Sequence, residues 1–433
     1  MRMVRFLMSA LLAGGPLLAQ APQPTHLSLP DAVALALKNH PQVLAAQDVI
    51  STATQRIRQA RSAYYPVLAG DVTASQGNIG GRIGAGYLSD SRIFDRFGQG
   101  ISINQLITDS GRTPNLVASA RLRENATEQD YQATRYDVIA SVYSAYYNTL
   151  RAQAVVKVAQ ETVAARQLIV TQVSTLAQNN LRSQLDVSFV SVNLAEAQLL
   201  LLRAQDEVQR AYAAMTWALG SDQPATYDLA EEPLPPGPAA SSESLVSQAF
   251  QNRPELASLG LSLQAANRFE HAERDLSFPT ATFIGVGGYM PYIDQITLPR
   301  VIPNEYEGAG INVEIPIFNG HLFAARREAA HDQVLEAEQR LRDRRQQIAR
   351  DVRQAWASAT TSYQNLDVTA QLLRQASLAL NLAQGRYDLQ LASIVELTQA
   401  QLNVTTAQIE SLNAKYDYQT QYALLQYATG LLR

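Results

Sequence analysis

The chain has 433 residues, of which 17% are charged and 7% are aromatic, and its mean hydropathy of −0.13 excludes a polytopic helical membrane protein. It contains no cysteine, which excludes disulfide bonds, thiolate metal sites, a cysteine nucleophile and a lipid carried on an N-terminal cysteine. The formal net charge is −4, which argues against nucleic acid as a partner.

The first 21 residues have the features of a signal peptide. Arg2 and Arg5 precede an apolar run, and Ala19-Gln20-Ala21 offers a cleavage site. A Gly-Gly-Pro sequence interrupts the run, which disfavours the alternative of an uncleaved anchor helix. We therefore predict that residues 1–21 are removed on export. An exported protein without cysteine is typical of the bacterial envelope.

The remaining chain repeats itself after about 210 residues. The matched segments are Lys38-Asn39-His40-Pro41 with Gln251-Asn252-Arg253-Pro254, Tyr65-Pro66 with Phe278-Pro279, Ser183 through Val187 with Ser393 through Leu397, and Ala218-Leu219-Gly220 with Ala428-Thr429-Gly430. This period is far longer than the roughly 20–50 residues of solenoid repeats. We predict two copies of one architectural unit, residues 22–220 and 244–433, joined by a proline-rich linker at 221–243.

The pattern of the first copy predicts a helix, two strands around a loop, a very long helix, a turn and a shorter helix. The predicted bounds are 29–64 for the opening helix, 67–76 and 99–108 for the strands, 77–98 for the loop, 112–178 for the long helix, 179–183 for the turn and 183–219 for the closing helix. The opening helix ends before Pro66, because the residue before a proline is pushed out of the helical region. Each long helix would measure about 100 Å at 1.5 Å per residue, so it needs neighbours along its length.

The second copy repeats this order. Its strands are predicted at 280–290 and 308–318 around a loop at 291–303, followed by a long helix at about 321–388 and a turn at 389–393. Each strand is about ten residues long, which suits a tilted strand that crosses a membrane. Four strands cannot close a barrel, since the smallest membrane barrels have about eight. If the strands cross lipid, the chain must form an oligomer, because open sheet edges are not tolerated there.

The closing helices carry two apolar stripes. The first stripe alternates in steps of three and four through Val187, Val190, Leu194, Ala197, Leu201, Ala204, Val208, Ala211, Met215 and Ala218. Beside it lie Leu185, Val192, Leu199 and Leu202, and the second copy has similar stripes. Two stripes predict a neighbour on each side, as in a closed wall of helices. A wide core face of an ordinary bundle is the alternative.

Signals for an enzyme are weak. The five histidines are scattered, and no P-loop, GxSxG or HExxH motif is present. We predict no catalytic residue, no cofactor and no metal site, and we expect His40 to have a structural role. An arginine-rich segment of the second long helix favours a solvated face, with a basic interior band as the alternative.

In the order of its repeated motifs, the chain resembles the TolC-like outer-membrane efflux protein (OEP) family. The motifs are Leu29-Pro30-Asp31-Ala32 with Asn39-His40-Pro41, Tyr65-Pro66 and Phe278-Pro279 before strands, Asp109-Ser110-Gly111 and Phe318-Asn319-Gly320 after strands, and Tyr387 with Val395-Glu396-Leu397 at the second turn. The resemblance implies an α+β fold, mostly long α-helical coiled coil, with four strands and four helical columns per chain. A homotrimer would form a 12-stranded transmembrane β-barrel in outer-membrane lipid and a 12-helix periplasmic α-barrel.

The function that the resemblance implies is a passive exit duct of a tripartite efflux or type I secretion system. An inner-membrane pump and a periplasmic adaptor protein would be its partners. A periplasmic coiled-coil adaptor or scaffold, motivated by the long helices, is the alternative. The sequence leaves the cargo open among drugs, metal ions and polypeptides.

The resemblance also implies a gate at the two helical hairpin turns. Asp186 and Tyr387 match a carboxylate and a tyrosine that bind each other, and Glu396 matches an acid that rings the aperture. Ala392 stands at the family's arginine position and Gln399 at that of a second aperture acid. These matches predict a Tyr387–Asp186 lock, so that Tyr387→Phe would raise conductance. A simple helix N-terminal role is the alternative for Glu396.

Overall fold

A computed structural model of the protein describes residues 25–76, 96–293 and 304–432. The predicted signal peptide, most of the predicted 77–98 loop and residues 294–303 of the second loop lie outside the described residues. The predicted α+β class with mostly long helices is confirmed.

The described elements of the first copy follow the predicted order. They are β1 (Thr25–Leu27), α1 (Leu29–Asn39), α2 (Pro41–Arg61), β2 (Val67–Ser75), β3 (Arg96–Thr108), α3 (Arg112–Gln178) and α4 (Gln184–Ala218). Those of the linker and the second copy are β4 (Tyr227–Leu229), α5 (Ser242–Asn252), α6 (Pro254–Asp275), β5 (Thr280–Ile293), β6 (Glu305–Glu314), α7 (Leu322–Asp388) and α8 (Ile394–Ala428). Helices α3 and α7 have 67 residues each.

The prediction of one opening helix at 29–64 is wrong, because the helix breaks at His40 and Pro41. His40 adopts an extended conformation, as the residue before a proline prefers, and its Nδ1 accepts a hydrogen bond from the Gln42 amide at 3.3 Å. The side chain is buried, and burial lowers the pKa of His40. His40 therefore caps α2, as its predicted structural role requires. The second copy breaks at the matching Arg253-Pro254.

Several strand predictions differ from the structure. Strand β3 begins at Arg96 instead of 99, and β5 continues to Ile293 instead of 290. The strand predicted at 308–318 begins earlier, at Glu305, and ends at Glu314. The residues after Glu314 include Pro316, which has no amide hydrogen to donate to a ladder. The short strands β1 and β4 were not predicted at all, since three residues carry no readable alternation.

The chain divides into two compact units. The first contains residues 25–39, 141–236 and 364–420, and the second contains the other described residues. In the first unit β1 pairs in parallel with β4, and the buried Tyr146 hydroxyl donates to the carbonyls of Leu27 and Ala230 at 3.2 and 2.6 Å. Burial, assisted by Glu232, raises the pKa of Tyr146 to about 12.

In the second unit, part of the core lies between α5, α6, α7 and the end of α8. Its buried members are Leu245, Val246, Ala249, Leu256, Ile348, Val352, Ala359, Leu425 and Ala428. The same unit holds an antiparallel sheet in the order β2-β3-β5-β6, so that one strand pair from each copy meets along β3 and β5.

The sheet has two chemically different faces. The more apolar face carries Leu68, Val72, Ile101, Ile103, Phe283, Ile311 and Val313. The same face also holds Gln99, Gln105, Glu305 and Glu307 and the glycines 70, 285 and 287, and it is called the apolar face below. The polar face carries Asp71, Thr73, Ser102, Asn104, Thr282 and Asn312, together with the glycines 100, 288, 308 and 310 and a few aliphatic residues. Successive side chains of a strand point to opposite faces, so this division follows from the register.

The repeat extends to the backbone. Left-handed conformations recur at matching positions, with Ser110-Gly111 and Gly320-His321 after strands, Asn180 and Gln390 in the hairpin turns, and Gly220 and Gly430 after the last helices. Only the last pair is glycine in both copies. The two copies therefore share turn geometry even where the residue type has changed.

Candidate functional site at the helical hairpin turns

Both hairpin turns have the same backbone. Helix α3 ends at Gln178 and α4 begins at Gln184, whereas α7 ends at Asp388 and α8 begins at Ile394. In each turn, the amide three residues beyond the helix end donates back to a carbonyl of the last helical turn, at 2.9 Å for Leu181 and at 2.7 Å for Leu391. This bond satisfies carbonyls that the helix end would otherwise leave unpaired.

The first turn is closed by a capping box. The Ser183 hydroxyl accepts from the Asp186 amide at 3.1 Å, and the Asp186 carboxylate accepts from the Ser183 amide at 3.2 Å. Asp186 stands three residues after the cap, where an acid reaches back to the cap amide. Its carboxylate thus stabilises the start of its own helix.

The second turn uses its acid differently. Ser393 accepts from the Glu396 amide at 3.2 Å, as in the first turn. The Glu396 carboxylate, however, forms an ion pair with Arg386 at 3.0 Å, and Arg386 also donates to the Leu391 carbonyl. This pair joins the last turn of α7 to the first turn of α8. Both side chains are about half exposed, so the pair contributes only about 0–1 kcal/mol.

Tyr387 links the two turns. The guanidinium of Arg182, from the first turn, lies 5.0 Å from the centre of the Tyr387 ring. Tyr387 also packs on a cluster formed by all four helices, whose buried members are Val173, Val190, Ile394 and Leu397. A cavity of about 530 Å³ adjoins this contact and is lined by Thr171, Leu176, Arg182, Tyr387 and Gln390 among others. A cation over an aromatic ring contributes about 0.5–1 kcal/mol at an exposed site.

The structure does not join Tyr387 to Asp186 by a hydrogen bond. The Tyr387 hydroxyl is buried and has no hydrogen-bond partner within the described chain. Gln399 lies on α8 and donates to Asn403 at 3.1 Å. Ala392 is half-buried in the turn. Of the predicted site residues, Glu396 and Tyr387 therefore take part in contacts across the turns, and Asp186 and Gln399 bond within their own segments.

Two arginines at this site were missed from the sequence. Arg182 occupies the position in the first copy that matches Ala392, and Arg386 matches Leu176. The signal was available, since Arg386 and Glu396 have opposite charges on either side of a five-residue turn. The family's arginine position in the second copy is Ala392, and the first copy has Arg182 at the matching position.

The contacts of the arginine-rich segment of α7 do not fully agree with either interpretation, a solvated helix face or a basic interior band. Arg340 pairs with Glu336, Arg344 with Glu255, Arg350 with Asp351 and Arg353 with Glu243, and Arg345 lies over Phe250. Most of this charge is thus neutralised by nearby acids. Among the described residues there is no cluster of three acids or histidines that could hold a metal ion.

Comparison with known proteins identifies the family. The sequence profile of the outer membrane efflux protein family matches residues 32–221 and 245–431. The chain belongs to the outer membrane efflux protein family. It is an outer-membrane channel whose helical part lies in the periplasm. The match decides against the adaptor or scaffold alternative.

Two similar proteins, CyaE and BepC, are distant from this chain in sequence. Protein CyaE from Bordetella pertussis is 24% identical over 377 residues, which cover 87% of this chain and 78% of CyaE. The outer membrane efflux protein BepC from Brucella suis is 22% identical over 424 residues, which cover 98% of this chain and 89% of BepC. The crystal structure of the Campylobacter jejuni CmeC outer membrane channel has a TM-score of 0.77 and 18% identity, covering 93% of this chain and 86% of CmeC. The structural likeness concerns the fold.

Proposed function

We propose that three copies of this chain form one closed conduit, the exit duct through which an inner-membrane pump and a periplasmic adaptor drive cargo out of the cell. The observation that carries the proposal is the sheet with two open edges. Strands β2 and β6 each pair on one side only within the described chain, and all ten residues of β6 are exposed. Open edges are not tolerated in lipid, and three copies of four strands give an even-numbered barrel of 12.

The two faces of the sheet fit this arrangement. In a membrane barrel, apolar residues face lipid and polar or small residues line the interior. The apolar face would therefore contact lipid, and the polar face, with its glycines, would line the passage.

The helices present surfaces that need further neighbours. The second stripe of α4 is exposed in the single chain, with Leu185 at 78% and Leu202 at 66%. Among the described helices, α4 is also the one whose length and composition would suit a membrane span. We interpret this apolarity as contact surface for helices of the next copy, because exposed stripes of this kind mark interaction sites.

We propose that the hairpin turns are the gate of the conduit. Arg182 on Tyr387 holds the two hairpins of one chain together, Arg386 on Glu396 ties α7 to α8 within the second hairpin, and Asp186 secures the start of α4. Opening would then require these contacts to loosen.

Glu396, repeated in three copies, would also place carboxylates at the aperture and favour cations, with Gln399 beside it contributing polarity without charge. Glu396→Gln should then reduce the cation preference in planar-bilayer recordings; an unchanged reversal potential would count against this role.

Cross-linking tests the trimer directly, because the chain has no cysteine of its own. Val72→Cys on β2 is combined in turn with a cysteine at 307, 309 or 311 on β6, all on the apolar face. Oxidation in outer membranes should produce covalent species up to three chains and no larger. Val72→Cys with Gln99→Cys is the matched control, since these residues are register partners within one chain and should leave its size unchanged.

Two results would contradict the proposal. Cross-linked ladders that continue beyond three chains would indicate an open assembly, and a chain recovered only in the soluble periplasmic fraction would contradict an outer-membrane conduit. A heat-modifiable trimer in outer membranes is the expected result.

A further inference from the structure

One row of residues in the half of the sheet that is distant from the helices has an unusual composition. Tyr306 of β6 is the register partner of Gly288 of β5, and Gly288 is the partner of Gly100 of β3. The row ends at Asp71 of β2. All four residues lie on the polar face, and Tyr306 is 40% exposed.

The glycines lie directly beneath the Tyr306 ring. A Cβ atom added to Gly288 would be 2.5 Å from Cζ of Tyr306 and would also contact the Gln99 carbonyl oxygen. A Cβ atom added to Gly100 would be 3.2 Å from the same Cζ and would contact the Tyr306 hydroxyl. Neither position has room for a side chain while the ring is there. The ring therefore lies across β5 and reaches β3, in close contact with backbone.

A second tyrosine at the same level faces the other way. Tyr289 follows Gly288 on β5 and pairs with Glu305, so its side chain lies on the apolar face. It is 42% exposed, almost the same as Tyr306. The two tyrosines therefore have similar exposure and occupy opposite faces.

We propose that Tyr306 is a lumen-lining residue that sets the bore of the conduit near its outer mouth, and that Gly288 and Gly100 keep the bore open by letting the ring lie flat. The proposal rests on the proposed trimeric conduit, in which three Tyr306 rings line the passage at one level. A ring that lies flat occupies about one stacking distance of 3.5–4 Å above the backbone, whereas an upright ring would extend farther into the passage.

Single-channel recording of purified trimers in planar bilayers tests this role. In a Tyr387→Ala background, which loosens the proposed gate, Tyr306→Ala should raise the conductance, because it removes three rings from the passage. Tyr289→Ala, the matched control, should leave the conductance unchanged, since its side chain faces lipid. An unchanged conductance in Tyr306→Ala, or a rise in Tyr289→Ala instead, would overturn the proposal.

Thiol labelling provides a second measurement in the cysteine-free background. A charged, water-soluble thiol reagent should reduce the current through open Tyr306→Cys channels and leave Tyr289→Cys channels unaffected. Loss of trimers with both Tyr306→Ala and Tyr306→Cys would make Tyr306 a structural residue and overturn the proposal. If the β2–β6 cross-links fail to form trimers, the conduit itself fails; if trimers form and Tyr306 variants conduct normally, only this inference fails.

Discussion

The two hairpin turns have the same backbone conformation, but the acid at one matching position has a different role in each turn. Asp186 and Glu396 both stand three residues after a capping serine, 210 residues apart. The Asp186 carboxylate accepts a hydrogen bond from the amide of its own cap residue, Ser183, whereas the Glu396 carboxylate pairs with Arg386 on the preceding helix. Arg386 has no counterpart in the first copy, because Leu176 occupies that position.

This difference shows how duplication and divergence separate two tasks. The repeated backbone builds two equivalent hairpins, and the side chains that differ make contacts across and between them. The first turn contributes Arg182 and the second contributes Tyr387, so that their stacking requires both copies. A contact between copies is a natural place for control, since loosening it leaves each hairpin intact.

The largest effect is expected where the comparison rests on packing. Leu397 is 1% exposed in the cluster beneath the turns, while its counterpart Val187 is only partly buried. Leu397→Ala should destabilise the α7–α8 end by about 2–5 kcal/mol, because it leaves a cavity. Val187→Ala should cost less at the α3–α4 end. Amide hydrogen exchange near each turn measures both, and equal acceleration at the two turns would contradict the difference.

A smaller effect is expected at the contact between the turns. Tyr387→Ala removes the ring from Arg182 and from the cluster, so it should speed exchange at both turns and raise the single-channel conductance. Tyr387→Phe keeps the ring and loses a hydroxyl without a partner in the described chain, so it should change neither property. This expectation replaces the one based on the Tyr387–Asp186 lock. A rise in conductance with Phe alone would restore that lock.

The capping box of the first turn should contribute about 1 kcal/mol, the net value of a typical hydrogen bond. Asp186→Ala should therefore speed exchange at the start of α4, with little dependence on salt. Asp186→Glu is the control, since glutamate at this position also closes a capping box. If Asp186→Glu speeds exchange as much as Asp186→Ala, the Asp186 carboxylate does not act through the cap.

The smallest effect belongs to the ion pair of the second turn. Glu396→Gln should cost about 0.5 kcal/mol or less at low salt, because both partners are half exposed. The cost should disappear at high salt, where exposed charges are screened. In a double-mutant cycle, once Glu396 is replaced, Arg386→Gln should add only the contribution of its hydrogen bond to the Leu391 carbonyl. Fully additive losses would mean that the two residues do not interact.

Particular residues show how far the sequence could be interpreted. The long helices and both turns follow from uninterrupted helical patterns, and their predicted bounds lie within a residue or two of the observed ones. The break at His40 was missed because the helical pattern continues on both sides of it. Pro41 was the signal, since proline at the first position of a helix marks a new start. The strand predicted to continue to 318 contains Pro316. This proline was also a signal, because it has no amide hydrogen to donate to the strand ladder.

The sequence by itself determined the duplicated architecture, because periodicity and turn residues act over a few neighbours and recur in both copies. It also determined which residues line the hairpin turns. Only the tertiary structure decided their partners, including Arg182 on Tyr387, Arg386 on Glu396 and the Tyr306 ring on Gly288. These contacts depend on side-chain direction, and the contact of Arg182 with Tyr387 also joins segments about 200 residues apart, which no local pattern records.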